Sequence, residues 1–184
     1  MEKKKCIFLD RDGTINKEVD YLYKVEDFEF IDGANEAIKL FNGLGYLVIV
    51  VTNQSGIARN YYTEDDLKNL HIHIDKLLER ISAKIDSYYY CPHHQTKGIG
   101  KYKVKCLCRK PELEMFLRAK KDFNIDFENS IIIGDKISDV EAGVRLGMKS
   151  VLVKSGHGAK EEKKLYGKIS IFNNLLDFAK TLKK

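Results

Sequence analysis

Asp10 and Asp12 stand two apart, with one residue between them, in "CIFLDRDGTIN", where a short apolar run breaks into glycine. Two carboxylates delivered to one turn can divide a displacement between them, one as nucleophile and the other as general acid and base. A third acid, Asp135, ends the apolar run of "SIIIGDKISD", with Lys136 and Asp139 behind it. Asp10, Asp12 and Asp135 make a hard oxygen set suited to Mg²⁺, which binds through a few carboxylates, retained waters and substrate phosphate. Without a cation the three acids would repel one another. A lysine, a threonine hydroxyl and the backbone amides of the "TNQSG" turn, Thr52 to Gly56, would hold the remaining phosphate oxygens.

A second constellation lies in "CPHHQTKGIGKYKVKCLCRKP". Cys91 and His93 are two apart, as are Cys106 and Cys108, and in extended backbone such pairs face the same way. Three thiolates and one imidazole form a closed tetrahedral set for Zn²⁺, so the spacing predicts a structural zinc loop over 91–108. The same parity leaves His94 outside the set. Cys108 runs directly into Arg109 and Lys110, so a zinc-pinned loop would fix the two side chains that follow it.

These groups need a scaffold that brings strand ends together. Short β-branched or apolar runs recur as "CIFL", "LVIVVTN", "SYYY", "SIIIGD", "SVLVK" and "SIF". Between most of them lie helical patterns. After Thr63, a suitable N-cap, Leu67, Leu70, Ile74, Leu77, Ile81 and Ile85 form one apolar stripe. Further helices are expected from near Gly33 to Gly43, from Pro111, over Asp139 to Leu146 and over Asn174 to Leu182. The alternation predicts an α/β fold: a three-layer, doubly wound, mostly parallel sheet with right-handed crossovers. In such folds the reactive groups lie beyond the carboxyl ends of the strands, where Asp10, Thr52, Arg109, Lys110 and Asp135 would meet. Residues 1–184 read as a single domain, without a linker or repeat.

Composition narrows the function classes. A chain of 184 residues that is 43% hydrophobic can bury one core. Its net charge of +5 comes from lysines spread along the chain, a solvated surface rather than a nucleic-acid groove. No segment is long enough to span a membrane, and the apolar run after "MEKKK" is too short for a signal peptide. With four cysteines, three of them clustered, a metal site in a reducing cytoplasm is expected over a disulfide framework, and Cys6 reads as a core residue. His71 and His73 cannot share a helix face, and His157 is a loop histidine without an evident partner.

In order, "DRDGT", "TNQSG", "RKP" and "GDKISD" resemble the four motifs of the haloacid dehalogenase superfamily of phosphohydrolases. The resemblance implies Asp10 as the nucleophile that becomes an aspartyl-phosphate and Asp12 as the acid and base. It implies Mg²⁺ held by the Asp10 carboxylate, the Asp12 main-chain carbonyl and Asp135. Thr52 and Lys110 would stabilise the transferring phosphoryl group, with Lys136 near the water shell of the metal and Asp139 orienting Lys110.

The intervals between motifs leave no room for a cap domain, so selectivity must come from loops. Within the superfamily, "FLDRDGTIN", "DFEFIDG", "VVTNQSGIAR", "YYCPHH" and "CLCRKP" together resemble the D-glycero-D-manno-heptose-1,7-bisphosphate 7-phosphatases. That resemblance implies a sugar bisphosphate contacted by Glu18, Val19, Asp20, Tyr21, Thr52, Asn53, Gln54, Ser55, Arg109 and Lys110. It also implies a cytoplasmic monomer serving lipopolysaccharide synthesis. Histidinol-phosphate phosphatase is the sister activity; a nucleic-acid end phosphatase and a non-catalytic phosphate-binding module are the other readings.

Overall fold

The computed structural model describes residues 2–165 and 169–183. Six parallel strands form one sheet: β1 (Cys6–Leu9), β2 (Leu47–Asn53), β3 (Ser87–Cys91), β4 (Ile131–Gly134), β5 (Lys149–Val153) and β6 (Ser170–Phe172). Their order is β3-β2-β1-β4-β5-β6. The chain winds outward from β1 to β3, then returns to lay β4 on the other side of β1. The switch between β1 and β4 opens a crevice at the carboxyl ends, which is where ligands bind in open α/β sheets.

Seven α-helices are described: α1 (Ala34–Gly43), α2 (Ser55–Ala58), α3 (Glu64–Glu79), α4 (Glu114–Phe123), α5 (Ile137–Arg145), α6 (Gly158–Glu161) and α7 (Leu175–Thr181). The two-residue alternation of the strands makes the three layers. Ile7, Leu9, Val48, Val50, Ile131 and Ile133 face one side and pack with Ala37 and Phe41 of α1, Leu70 and Ile74 of α3 and Phe178 of α7. Phe8, Ile49, Val51 and Ile132 face the other and pack with Met115 and Phe116 of α4 and Ala142 of α5. Each fully buried aliphatic side chain contributes roughly 1.5–3 kcal/mol, so both layers hold the strand ends firmly. Cys6 is fully buried in the second layer.

The strands fall where the apolar runs place them, and the Thr63 cap forms: its hydroxyl accepts from the Asp66 amide while Asp66 reaches back to the Thr63 amide. The helix expected at Pro111 begins instead at Glu114. The Lys110–Pro111 peptide is cis, and a turn closed by the Glu112 amide on the Arg109 carbonyl occupies the intervening residues. The sheet is wholly parallel rather than mostly so, and no separate cap domain is present among the described residues.

Candidate active site

Register brings the acids together. Leu9 of β1 pairs with Ile133 of β4, and the Asp10 amide donates to the Ile133 carbonyl, so Asp10 and Asp135 leave neighbouring strands side by side. After Asp10 the chain folds back sharply, with the amides of Thr14, Ile15 and Asn16 all donating to the Arg11 carbonyl. Gly13, at φ +80°, makes that turn; a Cβ there would lie 2.3 Å from Asp135 Oδ2. Gly156, at φ +58° and packed against Gly13, approaches the same oxygen, with its own Cβ position at 2.4 Å. Two glycines thus cradle one carboxylate.

Lys110 reaches this floor from the Cys/His loop. Its Nζ lies 3.1 Å from Asp10 Oδ1, 2.6 Å from Asp139 Oδ1 and 2.6 Å from the Val51 carbonyl. Burial works against its charge, but the carboxylates of Asp10 and Asp139 outweigh it and raise its pKa. Burial pushes the Asp139 carboxyl up while Lys110 opposes it, so the pair stays ionic through mutual need. Asn53 clips the segment in place: its Oδ1 accepts from the Lys110 amide and its Nδ2 donates to the Lys110 carbonyl.

Asp10 Oδ1 accepts from Lys110 and from the Arg11 amide at 2.8 Å. No donor among the described residues reaches Oδ2, which leaves that oxygen available as a nucleophile. Asp135 is fully buried; Oδ2 accepts from the His157 amide, and Oδ1 has no partner. Burial, reinforced by the charge of Asp10, pushes the Asp135 carboxyl up to about 8. Asp10, Asp135 and Asp139 place carboxylate oxygens within 4.8 Å of one another. An unpartnered buried oxygen among crowded acids fits a hard divalent cation such as Mg²⁺, which would offset the repulsion.

Asp12 lies beside this floor. Burial opposes its ionisation, yet the charge of Arg11 and hydrogen bonds from Asn16, Gln54 and Arg11 hold its pKa below the usual carboxylate range. The cavity above it, about 410 Å³, is lined by Asp12, Glu18, Asp20, Tyr21, Asn53, Gln54, Ser55, Arg109 and Lys110 together with Tyr62, Lys136, Ser138 and His157. Of the residues expected around a substrate, Thr52 and Val19 are not in this lining. Thr52 is buried beneath it, its hydroxyl accepting from Gln54, and Val19 is 40% exposed at the surface. A larger depression of about 630 Å³ at the opposite end of the sheet is bordered by Lys3 to Lys5, Tyr46 and Lys84. It holds no comparable set of converging carboxylates.

His157 does have partners: besides its amide bond to Asp135, its Nε2 lies 3.3 Å from Glu18. Glu18 also meets Lys136 at 3.4 Å. Burial and the nearby Asp12 raise the Glu18 pKa, and the neighbouring Lys136 and His157 oppose the rise. Its place in the lining therefore goes with a carboxylate already engaged by protein groups. Arg11, Tyr62 and Ser138 were not singled out by the sequence; the only signal for Arg11 was its place between the two aspartates.

The Cys/His loop closes as a compact cluster. Cys91, His93, Cys106 and Cys108 have their ligand atoms within 4.8 Å of one another. The Sγ–Sγ separations are 3.1, 3.4 and 3.5 Å, and His93 Nδ1 lies 3.4 Å from Cys108 Sγ. A tetrahedral zinc with bonds near 2.3 Å has sulfur edges of about 3.8 Å, so small outward shifts would admit it. All four cysteines are free thiols. His94 is turned elsewhere, its Nδ1 accepting from the Thr96 and Lys97 amides. The loop is tied to the site by Arg109, which donates to the His93 carbonyl, and by the Gln54 amide on the Cys91 carbonyl.

Residues 107–178 match the HAD-hydrolase-like family model. The D-glycero-beta-D-manno-heptose-1,7-bisphosphate 7-phosphatase of Pasteurella multocida is 43% identical over 181 residues, 98% of this chain and 97% of that one. The D-glycero-alpha-D-manno-heptose-1,7-bisphosphate 7-phosphatase of Campylobacter jejuni is 41% identical, covering 99% of this chain and 98% of that one. Among solved structures, the D,D-heptose 1,7-bisphosphate phosphatase of B. bronchiseptica, complexed with magnesium and phosphate, superposes with a TM-score of 0.87 at 28% identity. It covers 97% of each chain. Similarity that runs from end to end, over a sheet whose switch point gathers these acids, places the chain in the D-glycero-D-manno-heptose-1,7-bisphosphate 7-phosphatase family of HAD-like hydrolases.

Proposed function

We propose that this chain hydrolyses the C7 phosphate of D-glycero-D-manno-heptose 1,7-bisphosphate through a phosphoenzyme on Asp10. The observation that carries the reading is the free Oδ2 of Asp10, on a carboxylate whose Oδ1 meets the Lys110 ammonium, two positions before Asp12. In the first step a bond forms from Asp10 Oδ2 to phosphorus, the bond from phosphorus to the C7 oxygen breaks, and a proton passes to that oxygen from Asp12, which must first take one up from solvent or substrate against the charge of Arg11. In the second, water attacks phosphorus, gives its proton to Asp12, and releases Asp10 and inorganic phosphate. Lys110 meets charge that builds on the phosphoryl oxygens, an electrostatic contribution of several kcal/mol in comparable sites. Thr52 supports the strand end from below, and Ser55 and Asn53 offer amides and polar groups to the phosphate.

Mg²⁺, bound through Asp10, Asp135 and the Asp12 carbonyl, would neutralise the acids and the substrate phosphate. Lys136, whose charge is favoured by Asp10 and Asp135, would stand near the water shell of the metal and add positive charge to the site. Zn²⁺ in the Cys91, His93, Cys106 and Cys108 cluster is read as structural. It would hold Arg109 and Lys110 against the substrate while Glu18, Asp20 and Tyr21 border the sugar. Residues 1–184 are read as one phosphatase domain, a monomer of the cytoplasm, in the supply of activated heptose to lipopolysaccharide.

The test is initial phosphate release, with Mg²⁺, from both anomers of the heptose bisphosphate and from histidinol phosphate, beside an Asp10→Asn blank. A large advantage for one heptose anomer supports the reading and names the anomer. Preference for histidinol phosphate would move the enzyme to the sister activity.

A further inference from the structure

Arg11 heads the largest fully buried side chains of the described structure, at 0% exposure, although it lies beside a catalytic cleft. Its guanidinium is turned onto Asp12: Nε lies 3.1 Å from Oδ1, and Nη2 lies 2.9 Å from Oδ1 and 3.0 Å from Oδ2. Nη2 also reaches the Leu22 carbonyl at 3.1 Å and Gln54 Oε1 at 3.4 Å, while Nη1 has no partner. Gln54, 2% exposed, donates from Nε2 to Asp12 Oδ2 and to Thr52 Oγ1, both at 2.9 Å. Its orientation is fixed from behind, because the Tyr62 hydroxyl donates to Oε1 and so leaves Nε2 facing Asp12. Tyr62 is itself held, stacked on Tyr23 and packed so closely on Gly56 that a Cβ there would lie 2.1 Å from its ring.

Burying a guanidinium costs several kcal/mol unless its charge is met with good geometry. Here one carboxylate meets most of it. Swinging Asp12 away would leave Arg11 with a carbonyl and an amide oxygen as its only acceptors, so the carboxylate is confined to one orientation. From these contacts we infer that Arg11 and Gln54 are positioning residues, which hold the Asp12 carboxyl toward the leaving oxygen while Tyr62 fixes the Gln54 amide. The inference rests on the reading of Asp12 as acid and base, and it adds residues that act through Asp12 and need not touch the phosphate.

Proton donation matters when the leaving group is an alkoxide and hardly at all when it is a nitrophenolate. The experiment therefore compares single-turnover phosphoryl transfer from the sugar bisphosphate with the nitrophenolate burst from p-nitrophenyl phosphate, in Arg11→Lys and Tyr62→Phe proteins. Asp12→Asn sets the reference pattern. Arg11→Lys should lose about 10²-fold on the sugar ester with the aryl burst rate held within about threefold, and Tyr62→Phe, which frees the Gln54 amide, should lose about fivefold with the same selectivity.

Equal losses on both esters, or no loss on either, would overturn the inference. Tyr62→Phe, which removes one oxygen, keeps the test available if Arg11→Lys does not fold. If wild-type protein spares the sugar bisphosphate, the substrate reading falls and histidinol phosphate serves as the alkyl ester. Absence of leaving-group selectivity in Asp12→Asn would instead remove the acid–base assignment.

Discussion

Lys110 and Asp139 form a buried ion pair at 2.6 Å, one arriving from the exit of the Cys/His loop and the other from the first turn of α5. The pair joins the two halves of the sheet across the switch point, with Asp10 as a third member.

Lys110→Met should remove both transition-state charge and the partner of two buried acids. We expect a fall in kcat of about 10²–10³-fold, and a loss of about 3–5 kcal/mol of stability. Asp139→Asn should cost less, about 1–3 kcal/mol, because Lys110 keeps Asp10 and the Val51 carbonyl. Steady-state kinetics and urea midpoints on the two proteins check both numbers, and wild-type turnover by Lys110→Met would remove its catalytic assignment.

Gly156→Ala adds a methyl 2.4 Å from Asp135 Oδ2 and 2.5 Å from Gly13 Cα, at a backbone angle that resists side chains. The carboxylate must move. The expected outcome is a Mg²⁺ concentration dependence of turnover shifted upward by about tenfold or more, one such factor being 1.4 kcal/mol. An unchanged Mg²⁺ titration would show that Asp135 tolerates displacement.

The raised pKa of Asp135 makes metal-free protein lose stability as pH rises from acid to neutral. Its carboxyl rises from an ordinary 3.8 to about 8 on folding, so the folded chain keeps a proton that the unfolded chain releases between those values. That contribution to stability is complete below about pH 4 and is lost as pH rises toward 8, at up to about 1.4 kcal/mol per pH unit. Mg²⁺ should reverse the trend by binding the ionised form. Thermal melts from pH 5 to 8, with chelator and with Mg²⁺, should show the slope in wild type and a reduced slope in Asp135→Asn. Parallel slopes would place the titration elsewhere.

Removing the Cys106 thiol, as Cys106→Ala, or stripping zinc should slow turnover by loosening the segment that carries Arg109 and Lys110. The expected companion is faster proteolytic cleavage within 94–105 while the β-sheet signal in circular dichroism is kept. Full turnover by Cys106→Ala would separate the loop from catalysis.

Most of the fold was legible because β-branched runs such as "LVIVVTN" have no competing helical period, and because parallel strands buried on both faces need such runs. Asp10, Lys110 and Asp135 were legible because each follows or faces a strand end. Pro111 misled because its preference for a first helical turn does not foresee a cis peptide and a tight turn. Arg11 was opaque for a deeper reason: nothing local in a sequence marks a charged residue as buried, since its burial depends on Gln54, Leu22 and Tyr62 far along the chain. Val19 shows the converse, a position carried over with its neighbours while the chain places it outside the cavity lining.

Only Arg109 separates Cys108 from Lys110, whereas residues 94–105 lie between the two halves of the staple formed by the four metal-type ligands. The loop therefore has an anchored end that cannot change without moving the ammonium, and an outer arc tied down at Ile99, whose amide donates to the Ala58 carbonyl, and at Tyr102, whose hydroxyl donates to Glu64, with the exposed side chains of Gln95 to Lys97 left to vary. Those exposed positions are a natural place for new substrate preferences to arise by drift or by design, because their side chains stand apart from the groups that break the bond.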